Sequence, residues 1–273
     1  MPMLWWLHEP SSKFWPTYQN TLSHYPQYFN HKYLESISVF AVSRVAKRAF
    51  QEYFPDISPS LLPYCVQDEQ DIENTDLTFS CGERITFAVI GVLSELKQQS
   101  LFLEAVEKLN LLYADKIRFL LIGKASENAY VREVLSHAEK IKNVYVKGVL
   151  TREQMTNVYK NKIDVVVCPS LEDCLPTVIT EGMMYSKLCI VSDNTGSADL
   201  IMDGKNGFIC ETGSVESLYE KMQYCIEHFN ELDNVRRAAR KTFEDNFMMD
   251  IFERRIKNII NEITVSAHFD TSR

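Results

Sequence analysis

The chain has 273 residues, of which 45% are hydrophobic and 24% charged, and its net charge is −8 at pH 7. This composition is typical of a globular protein with one large or two modest domains, and the acidic balance argues against a broad nucleic-acid-binding surface. No apolar run approaches the roughly 20 residues that span a bilayer, and the first residues do not resemble a signal peptide. The seven cysteines have no metal-ligand spacing, so we expect buried thiols in a cytoplasmic protein without a metal site.

Composition divides the chain near residue 82. All nine glycines lie at or after Gly82, whereas seven of the nine prolines lie before residue 64. Residues 67–83 are acidic and without periodicity, which is typical of a surface connection. We therefore predict a first unit with its linker over 1–83, a second unit over 84–263 and a flexible tail over 264–273.

The first unit is predicted to be small. Strands are expected at Leu4–Leu7, Ile37–Val42 and Leu61–Val66, and Ser43 is expected to cap a helix at Arg44–Tyr53. Three strands with one or two helices cannot cover both faces of an α/β sheet. We expect a truncated α/β unit, the back half of a domain whose front half is absent.

The second unit alternates strands and helices, which predicts an α/β fold with a Rossmann-like, doubly wound parallel sheet. The predicted strands are Ile85–Ile90, Ile117–Ile122, Val144–Val146, Val165–Cys168, Leu188–Val191 and Phe208–Cys210. The predicted helices are Gln99–Leu109, Asn128–Lys140, Arg152–Tyr159, Pro176–Tyr185, Val215–Phe229, Asn234–Phe243 and Met248–Ile263. Ligands of such sheets bind outside the carboxyl ends of the strands.

One strand-to-helix connection has the features of an anion site. The apolar run Val165–Cys168 is followed by Asp173, a predicted N-cap, and by Pro176 in the first turn of a helix. The free amides of that helix would point outward, and Asp173 and Glu181 would flank them. Carboxylates beside a phosphate site indicate a ligand with phosphate and hydroxyl groups, such as a nucleotide sugar. The alternative is that Asp173 is a plain N-cap and Glu181 a solvated helix residue.

Three further positions are candidates. Gly91 follows the first strand of the second unit, and Lys97 could bring an ammonium group over the crevice, although a surface lysine is the alternative. Gly196 follows another strand and would let backbone approach a ligand before the next helix, unless this is an ordinary turn. His8 ends a predicted strand, where a structural role is the alternative. No Ser/His/Asp triad can be assembled.

These segments, in this order, resemble retaining glycosyltransferases of the GT-B fold, the glycosyltransferase group 1 family. The resemblance covers about residues 84–262 as a complete donor-binding domain, and residues 4–66 as the last part of an acceptor-binding domain. The family's paired acids, with seven residues between them, match Asp173 and Glu181. The stretches Thr195–Ile201 and Asp203–Ile209 are also similar to the family.

The resemblance implies a role for each candidate. Lys97 is similar to the lysine that holds the donor diphosphate, Glu181 to the acid that holds the ribose hydroxyls, and Asp173 replaces a Glu that bonds the donor sugar. By the same resemblance, the backbone amides of Thr177 and Val178 would contact phosphate, and Gly91 and Gly196 would lie beside the donor. His8 would face the cleft from the acceptor side. The catalytic residues would be Asp173, Lys97 and His8.

Three positions depart from the family pattern. Val92 stands where an arginine is usual, Gln98 where a glycine is usual, and Gly182 where an alanine is usual. Losing the arginine removes one of two cations expected on the leaving diphosphate. Glycine in place of alanine at residue 182 costs about 1 kcal/mol of helix propensity.

The resemblance implies transfer of a sugar from a nucleoside-diphosphate sugar to an acceptor hydroxyl with retention, in surface polysaccharide or glycoconjugate synthesis. We expect a nucleotide-sugar donor, a sugar or lipid-linked acceptor, no nucleic acid, no metal and no cofactor, and leave open a peripheral contact with the inner face of a membrane. The alternatives are a catalytically incompetent nucleotide-sugar-binding fragment or partner subunit, and a sugar-nucleotide epimerase of similar architecture.

Overall fold

A computed structural model describes residues 3–24, 37–70 and 83–270, and its contacts divide the chain into two compact units. The first unit comprises Met1–Gln67, Glu172–Leu175 and Asp245–Arg273, and the second comprises Asp68–Leu171 and Pro176–Glu244. Most of the predicted linker, residues 71–82, lies outside the described residues. Of its described residues, Gln67 groups with the first unit and residues 68–70 and 83 group with the second.

The second unit is built on a six-stranded sheet in which every pairing is parallel. Its strands are β4 (Ile85–Ile90), β5 (Ile117–Ile122), β6 (Val144–Gly148), β7 (Val165–Cys168), β8 (Leu188–Ser192) and β9 (Phe208–Cys210). They lie in the order β6-β5-β4-β7-β8-β9, so the order reverses between β4 and β7. The predicted doubly wound parallel sheet is confirmed, and four of its six strands have the predicted bounds.

Helices follow the strands as predicted, with ends that shift by up to four residues. They are α3 (Gln99–Tyr113), α4 (Ala129–Lys140), α5 (Arg152–Asn161), α6 (Thr177–Met184), α7 (Val215–Glu227) and α8 (Asp233–Phe247). Short 3-10 turns are found at Glu95–Lys97, Gly196–Leu200 and Phe229–Glu231. The core beneath α3 includes Phe87, Phe102 and Phe119, all fully buried, with ring centroids of neighbouring pairs 5.7 and 5.8 Å apart.

Glycines follow the adjacent strands β4 and β5, where the backbone adopts a conformation that favours glycine. Gly91 and Gly123 have φ angles of +146° and +150°. A β-carbon on Gly123 would lie 1.8 Å from the carbonyl oxygen of Gly91. A side chain at residue 123 would therefore prevent the close approach of these two strand ends.

The first unit contains a three-stranded parallel sheet, β1 (Met3–Leu7), β2 (Ile37–Ala41) and β3 (Ser60–Leu61), in that order. Its helices are α1 (Ser11–His24), α2 (Arg44–Gln51) and α9 (Met249–Asp270). The predicted third strand, Leu61–Val66, is wrong beyond Leu61, because Pro63 has no N–H to donate to a ladder. The predicted cap of α2 is confirmed, since the Ser43 hydroxyl accepts from the Ala46 amide.

Helix α1 was not assigned from the sequence, and its N-terminus shows why. Pro16 lies inside the helix and removes one backbone hydrogen bond. The amides of Ser11 and Ser12 donate to the carboxylate of Glu172, at 2.9 and 3.1 Å. This capping residue lies about 160 positions away in the chain, so the local sequence pattern could not predict the start of the helix.

At the other end, α9 continues to Asp270, so residues 264–270, predicted as a frayed tail, are helical. Among residues 3–24, 37–70 and 83–270, no helix is both long and apolar enough to cross a bilayer.

Candidate functional site

The second unit places its candidate residues on both sides of the point where the strand order reverses. Gly91 and Lys97 follow β4, Thr177 and Val178 begin the helix that follows β7, and Gly196 follows β8. Because β4, β7 and β8 are neighbours, their carboxyl ends lie along one edge. In open α/β sheets this reversal opens the crevice in which ligands bind.

Lys97 lies across Gly91 in the structure. A β-carbon placed on Gly91 would approach the Lys97 Cε to 3.8 Å, so the lysine side chain runs over the end of β4. Lys97 itself is held in a 3-10 turn, with its amide bonded to the Ser94 carbonyl at 2.9 Å. The turn is tied to the neighbouring loop, since the Leu171 amide donates to the Leu96 carbonyl.

Gln98, directly after this lysine, adopts the left-handed conformation, with φ 52° and ψ 42°. A residue with a side chain is disfavoured there by roughly 1–2 kcal/mol relative to glycine. The family's usual glycine at this position would adopt the left-handed backbone without strain, whereas Gln98 adopts it with strain. The Gln98 side-chain amide donates to the Glu95 carbonyl at 2.7 Å, which offsets part of that strain.

Helix α6 begins at Thr177, and the predicted cap is wrong in one respect. Its N-cap is Pro176, not Asp173, because the extended backbone of Pro176 (φ −64°, ψ 116°) directly precedes the first helical residue. The Ile179 amide bonds the Pro176 carbonyl, so the amides of Thr177 and Val178 precede the helix's own hydrogen bonds. Together with the helix dipole they make this end favourable for an anion.

Glu181, one turn into α6, is engaged by an arginine that the sequence gave no reason to single out. An Nη of Arg152, at the start of α5, donates to Glu181 Oε1. The guanidinium also binds Glu69 Oε1, through two nitrogens that each lie 2.8 Å away. Local sequence could have marked Arg152 only as the first residue of a capped helix, because Thr151 and Gln154 form a capping box.

Gly182 has a packing role in the same helix. A β-carbon there would come within 3.0 Å of both the Cys189 Sγ and the Val166 Cγ2. Both side chains are fully buried in the central strands β7 and β8. The glycine therefore lets α6 lie close to the sheet, which sets the height of the helix N-terminus above the strand ends.

Gly196 is buried and begins a 3-10 turn of five residues, whereas the sequence led us to expect a helix there. The preceding loop is fixed to the β7 loop, because the Ser192 hydroxyl donates to the Ser170 carbonyl and the Asn194 side-chain amide to the Leu171 carbonyl. Gly196 thus stands beside the α6 connection, and a role at the donor stays a prediction.

Asp173 and His8 belong to the first unit. Asp173 is half-buried in the segment Glu172–Leu175 and contributes, after burial itself, to raising the pKa of the Cys174 thiol. His8 is solvent-accessible at the end of β1, and its ring lies 4.6 Å from that of Trp6. Partial desolvation of the ring lowers the pKa of His8 despite the nearby charge of Glu9. Their catalytic roles stay predictions.

A cavity of about 450 Å³ lies elsewhere in the second unit, beside α5. Its walls include Leu120 and Ile122 of β5, Tyr145 and Lys147 of β6, and Val158 of α5. None of the candidate residues lines this cavity. The candidate residues of the second unit instead follow β4, β7 and β8, on both sides of the strand reversal. Within the described ranges, no group of three or more His, Cys, Asp or Glu side chains could hold a metal.

The six-stranded parallel sheet, with helices between its strands and a reversal of strand order, defines a Rossmann-like domain of the GT-B type. The family model for "Glycosyl transferases group 1" matches residues 78–242, more than half of the chain. The chain belongs to this family.

Two curated relatives agree with this assignment. An uncharacterized glycosyltransferase of Methanocaldococcus jannaschii is 24% identical over 198 residues, covering 70% of this chain and 52% of that protein. The capsular polysaccharide biosynthesis glycosyltransferase CapM of Staphylococcus aureus is 24% identical over 103 residues, or 38% of this chain and 27% of CapM. The chain thus spans about half the length of the first relative and less of the second.

Solved structures share the fold. HepE of Anabaena, crystallised with UDP and glucose, superposes with a TM-score of 0.76 at 17% identity, over 96% of this chain and 72% of HepE. A glycosyltransferase of Rickettsia africae superposes with a TM-score of 0.75 at 19% identity, over 96% and 77% of the two chains.

Proposed function

We propose that this chain is a retaining glycosyltransferase that moves a sugar from a nucleoside-diphosphate sugar to an acceptor hydroxyl. The observation that carries the proposal is the pairing of Lys97, folded over Gly91, with the amide end of α6 across the strand reversal. This pairing suits a ligand with negative charge at the crevice and a sugar beyond it.

The chemistry requires that charge developing on the departing diphosphate be stabilised. Lys97 and the Thr177 and Val178 amides would supply fixed positive charge and donors at that point. Asp173 would bond the transferred sugar, and His8 would approach it from the acceptor side. Retention is part of the proposal because the acid pair Asp173 and Glu181 resembles that of retaining enzymes.

The relatives support a donor and a pathway class. HepE was crystallised with UDP and glucose and also with UDP-glucose, and CapM is named for capsular polysaccharide biosynthesis. By extension we propose a nucleotide-sugar donor, a sugar or lipid-linked acceptor and a role in surface polysaccharide or glycoconjugate synthesis. We propose that this takes place in the cytoplasm, with a peripheral contact at the inner face of the membrane.

A second candidate function is nucleotide-sugar binding without transfer. It is favoured by Val92, an exposed apolar side chain where the family pattern has a second cation. Turnover of the donor separates the two candidates, because a binding subunit would retain nucleotide affinity without releasing free sugar or product.

The test of the proposed function uses Lys97→Ala. Loss of a charge-assisted hydrogen bond costs about 1.5–3 kcal/mol, so nucleoside diphosphates should bind roughly 10- to 100-fold more weakly. Calorimetry with UDP, GDP, ADP and CDP measures this, and Lys140→Ala, at an exposed lysine at the C-terminal end of α4, is a matched control.

Equal affinity of Lys97→Ala and the wild-type chain for the nucleoside diphosphate would make Lys97 a surface residue and place the site elsewhere. Transfer is followed with the sugar nucleotides of whichever base binds. The anomeric configuration of the first product, read by NMR before mutarotation, decides between retention and inversion.

A further inference from the structure

The proposed ribose acid, Glu181, is part of a cluster with a definite order of contacts. We call the Arg152 cluster the set Glu69, Arg152, Thr156, Glu181 and Tyr185. Arg152 bridges the two carboxylates, with Glu69 on one side and Glu181 on the other. The bridged Glu181 side chain is 16% exposed and the Glu69 side chain 27% exposed.

Glu69 is the fixed end of the cluster. Besides Arg152, its carboxylate accepts from the Thr156 hydroxyl and the Tyr185 hydroxyl, each at 2.8 Å. Burial raises the pKa of Glu69, but these three donors outweigh it and hold the pKa below the usual value of 4.5. Glu69 is therefore an ionised carboxylate with several hydrogen-bond donors. It binds Nε and Nη2 of Arg152, whereas Glu181 binds Nη1.

Arg152 is correspondingly held in its charged form. Burial lowers its pKa, and the bonds to Glu181 and Glu69 outweigh that effect and raise it above the ordinary 12.5. Its contact with Glu181 is to Oε1 alone. A carboxylate has about four acceptor positions, so a diol could still bond Glu181 while Arg152 remains in place.

The cluster also sets the local charge. Two carboxylates with one guanidinium leave a single net negative charge, and removal of Arg152 would leave two. An anionic nucleotide would be repelled by that second charge, and solvent would screen the repulsion only in part because the Glu181 side chain is 16% exposed. Arg152 thus has two reasons to matter for a ligand that carries both phosphates and a ribose.

We propose that Arg152 is the positioning residue for ribose recognition: it fixes the Glu181 carboxylate for the ribose diol and offsets the negative charge beside the diphosphate. The inference rests on the proposed function, in which Glu181 holds the ribose. The inference adds that ribose recognition depends on Arg152 of α5. Through Glu69, it also depends on residues 68–70, which follow the first unit in the chain.

The test compares each nucleoside diphosphate with its 2′,3′-dideoxy analogue, using UDP, GDP, ADP and CDP on the full chain. The ratio of the two affinities measures recognition of the ribose hydroxyls. In Arg152→Met this ratio should fall about tenfold, as it should in Glu181→Gln, because each change removes a charged hydrogen-bonding partner. The double variant should lose little more than either single variant, since both act through one carboxylate.

Arg132→Met, at an exposed arginine of α4, is the matched control and should leave the ratio unchanged. Arg152→Lys keeps the charge without the planar fork, so it should retain more diphosphate affinity than Arg152→Met and still lose ribose discrimination. Thermal melting of every variant confirms that the folded chain is being compared.

Two results in Arg152→Met would overturn this inference and leave the proposed function standing. One is an unchanged affinity ratio. The other is tighter ribonucleotide binding, which would mean that Arg152 competes with the ribose for Glu181. If the wild-type chain binds none of the four nucleoside diphosphates, the proposed function fails and the inference falls with it. Binding by the wild-type chain therefore separates the two failures.

Discussion

At the scale of single residues, the two acids matched to the family pattern differ in their surroundings. Glu181 lies within α6 of the second unit and is bonded by Arg152. Asp173 lies three residues before the Pro176 cap, in a segment that groups with the first unit. This difference supports separate roles, with ribose for Glu181 and the transferred sugar for Asp173.

Substitution of each acid by its amide tests that separation. Glu181→Gln should weaken the nucleoside diphosphate and the full sugar nucleotide by comparable factors, because both contain ribose. Asp173→Asn should leave the nucleoside diphosphate nearly unchanged and weaken only the sugar nucleotide or its turnover. Calorimetry with both ligands measures the pair of effects.

Stability is the control for this comparison. Because Asp173 does not cap α6, Asp173→Asn should not lose the roughly 1 kcal/mol that removal of an N-cap costs. Equal losses for both ligands in both variants would show that the two acids act structurally.

At the scale of elements, the segment that follows the first unit is fixed to α8 by an ion pair. Arg240 donates to both carboxylate oxygens of Asp68, at 2.9 and 2.5 Å, and also to the Met184 carbonyl at 2.8 Å. The side chains of Asp68 and Arg240 are 15% and 6% exposed. The pair thus joins residues 68–70 to α8 and to the end of α6.

Removal of one partner should be destabilising. Asp68→Ala would leave the buried Arg240 guanidinium with Glu244, at 2.9 Å, as its remaining carboxylate partner. We therefore expect a loss of about 1.5–3 kcal/mol, the usual value for hydrogen bonds to a charged group, and not the roughly 3–5 kcal/mol of a buried charge left unpaired. Asp115→Ala, which removes an exposed partner of Lys142, should cost at most about 1 kcal/mol. Urea denaturation of both variants measures the contrast, and equal losses would show that the Asp68 pair contributes no more than a surface pair.

The same pair predicts a pH dependence. Burial raises the pKa of Asp68, but the bonds from Arg240 and from the Gln70 amide, with the Arg240 charge, bring it below the usual 3.8. A lowered folded-state pKa gives stability that is present above pH 3.8 and is lost as the pH falls through the folded value. The wild-type chain should therefore lose more stability below pH 4 than Asp68→Asn does, as denaturant titrations at pH 3 and pH 6 would record.

Helix α6 offers a packing prediction at Gly182. Gly182→Ala would gain about 1 kcal/mol of helix propensity. Its new methyl group would press on Val166 and Cys189 at 3.0 Å, and overpacking costs about 1–3 kcal/mol, so we expect a net loss of stability. Because Val166 is β-branched, buried and in a central strand, it has little freedom to yield.

A double-mutant cycle checks the cause. Gly182→Ala should be less harmful in a Val166→Ala background, where the contacting methyl groups are gone. Additive effects would mean that the loss has another origin.

At the scale of the whole molecule, the sequence predicted the second unit far better than the first. The runs Ile85–Ile90 and Val165–Cys168 are apolar and bounded by turn residues, so local chemistry is enough to define them. Helix α1 and the contacts of Arg152 were missed because they depend on distant partners. Glu172 lies 161 positions from Ser11, and Glu69 lies 83 positions from Arg152.

The candidate site divides in the same way. Gly91, Lys97 and the N-terminus of α6 follow from strand ends and turn chemistry, so their placement could be predicted. The Arg152–Glu181 contact could not, because it joins two helices that only the folded sheet brings together.

The charge of the whole molecule bears on the last prediction, which concerns metal ions. With a net charge of −8, the chain does not attract an anionic nucleotide by its overall field, so binding must depend on local cations and amides.

We propose that Lys97 and the start of α6 provide these. The affinity for a nucleoside diphosphate should then stay within about twofold between EDTA and Mg²⁺ buffers, a difference well below 1 kcal/mol. Calorimetry of the wild-type chain in both buffers makes the measurement, with Lys97→Ala as the comparison. In that variant Mg²⁺ should not restore wild-type affinity, because the proposed mechanism meets the diphosphate charge with the Lys97 ammonium group and backbone amides. Loss of binding in EDTA that a divalent ion restores would contradict this mechanism and assign the diphosphate charge to a metal.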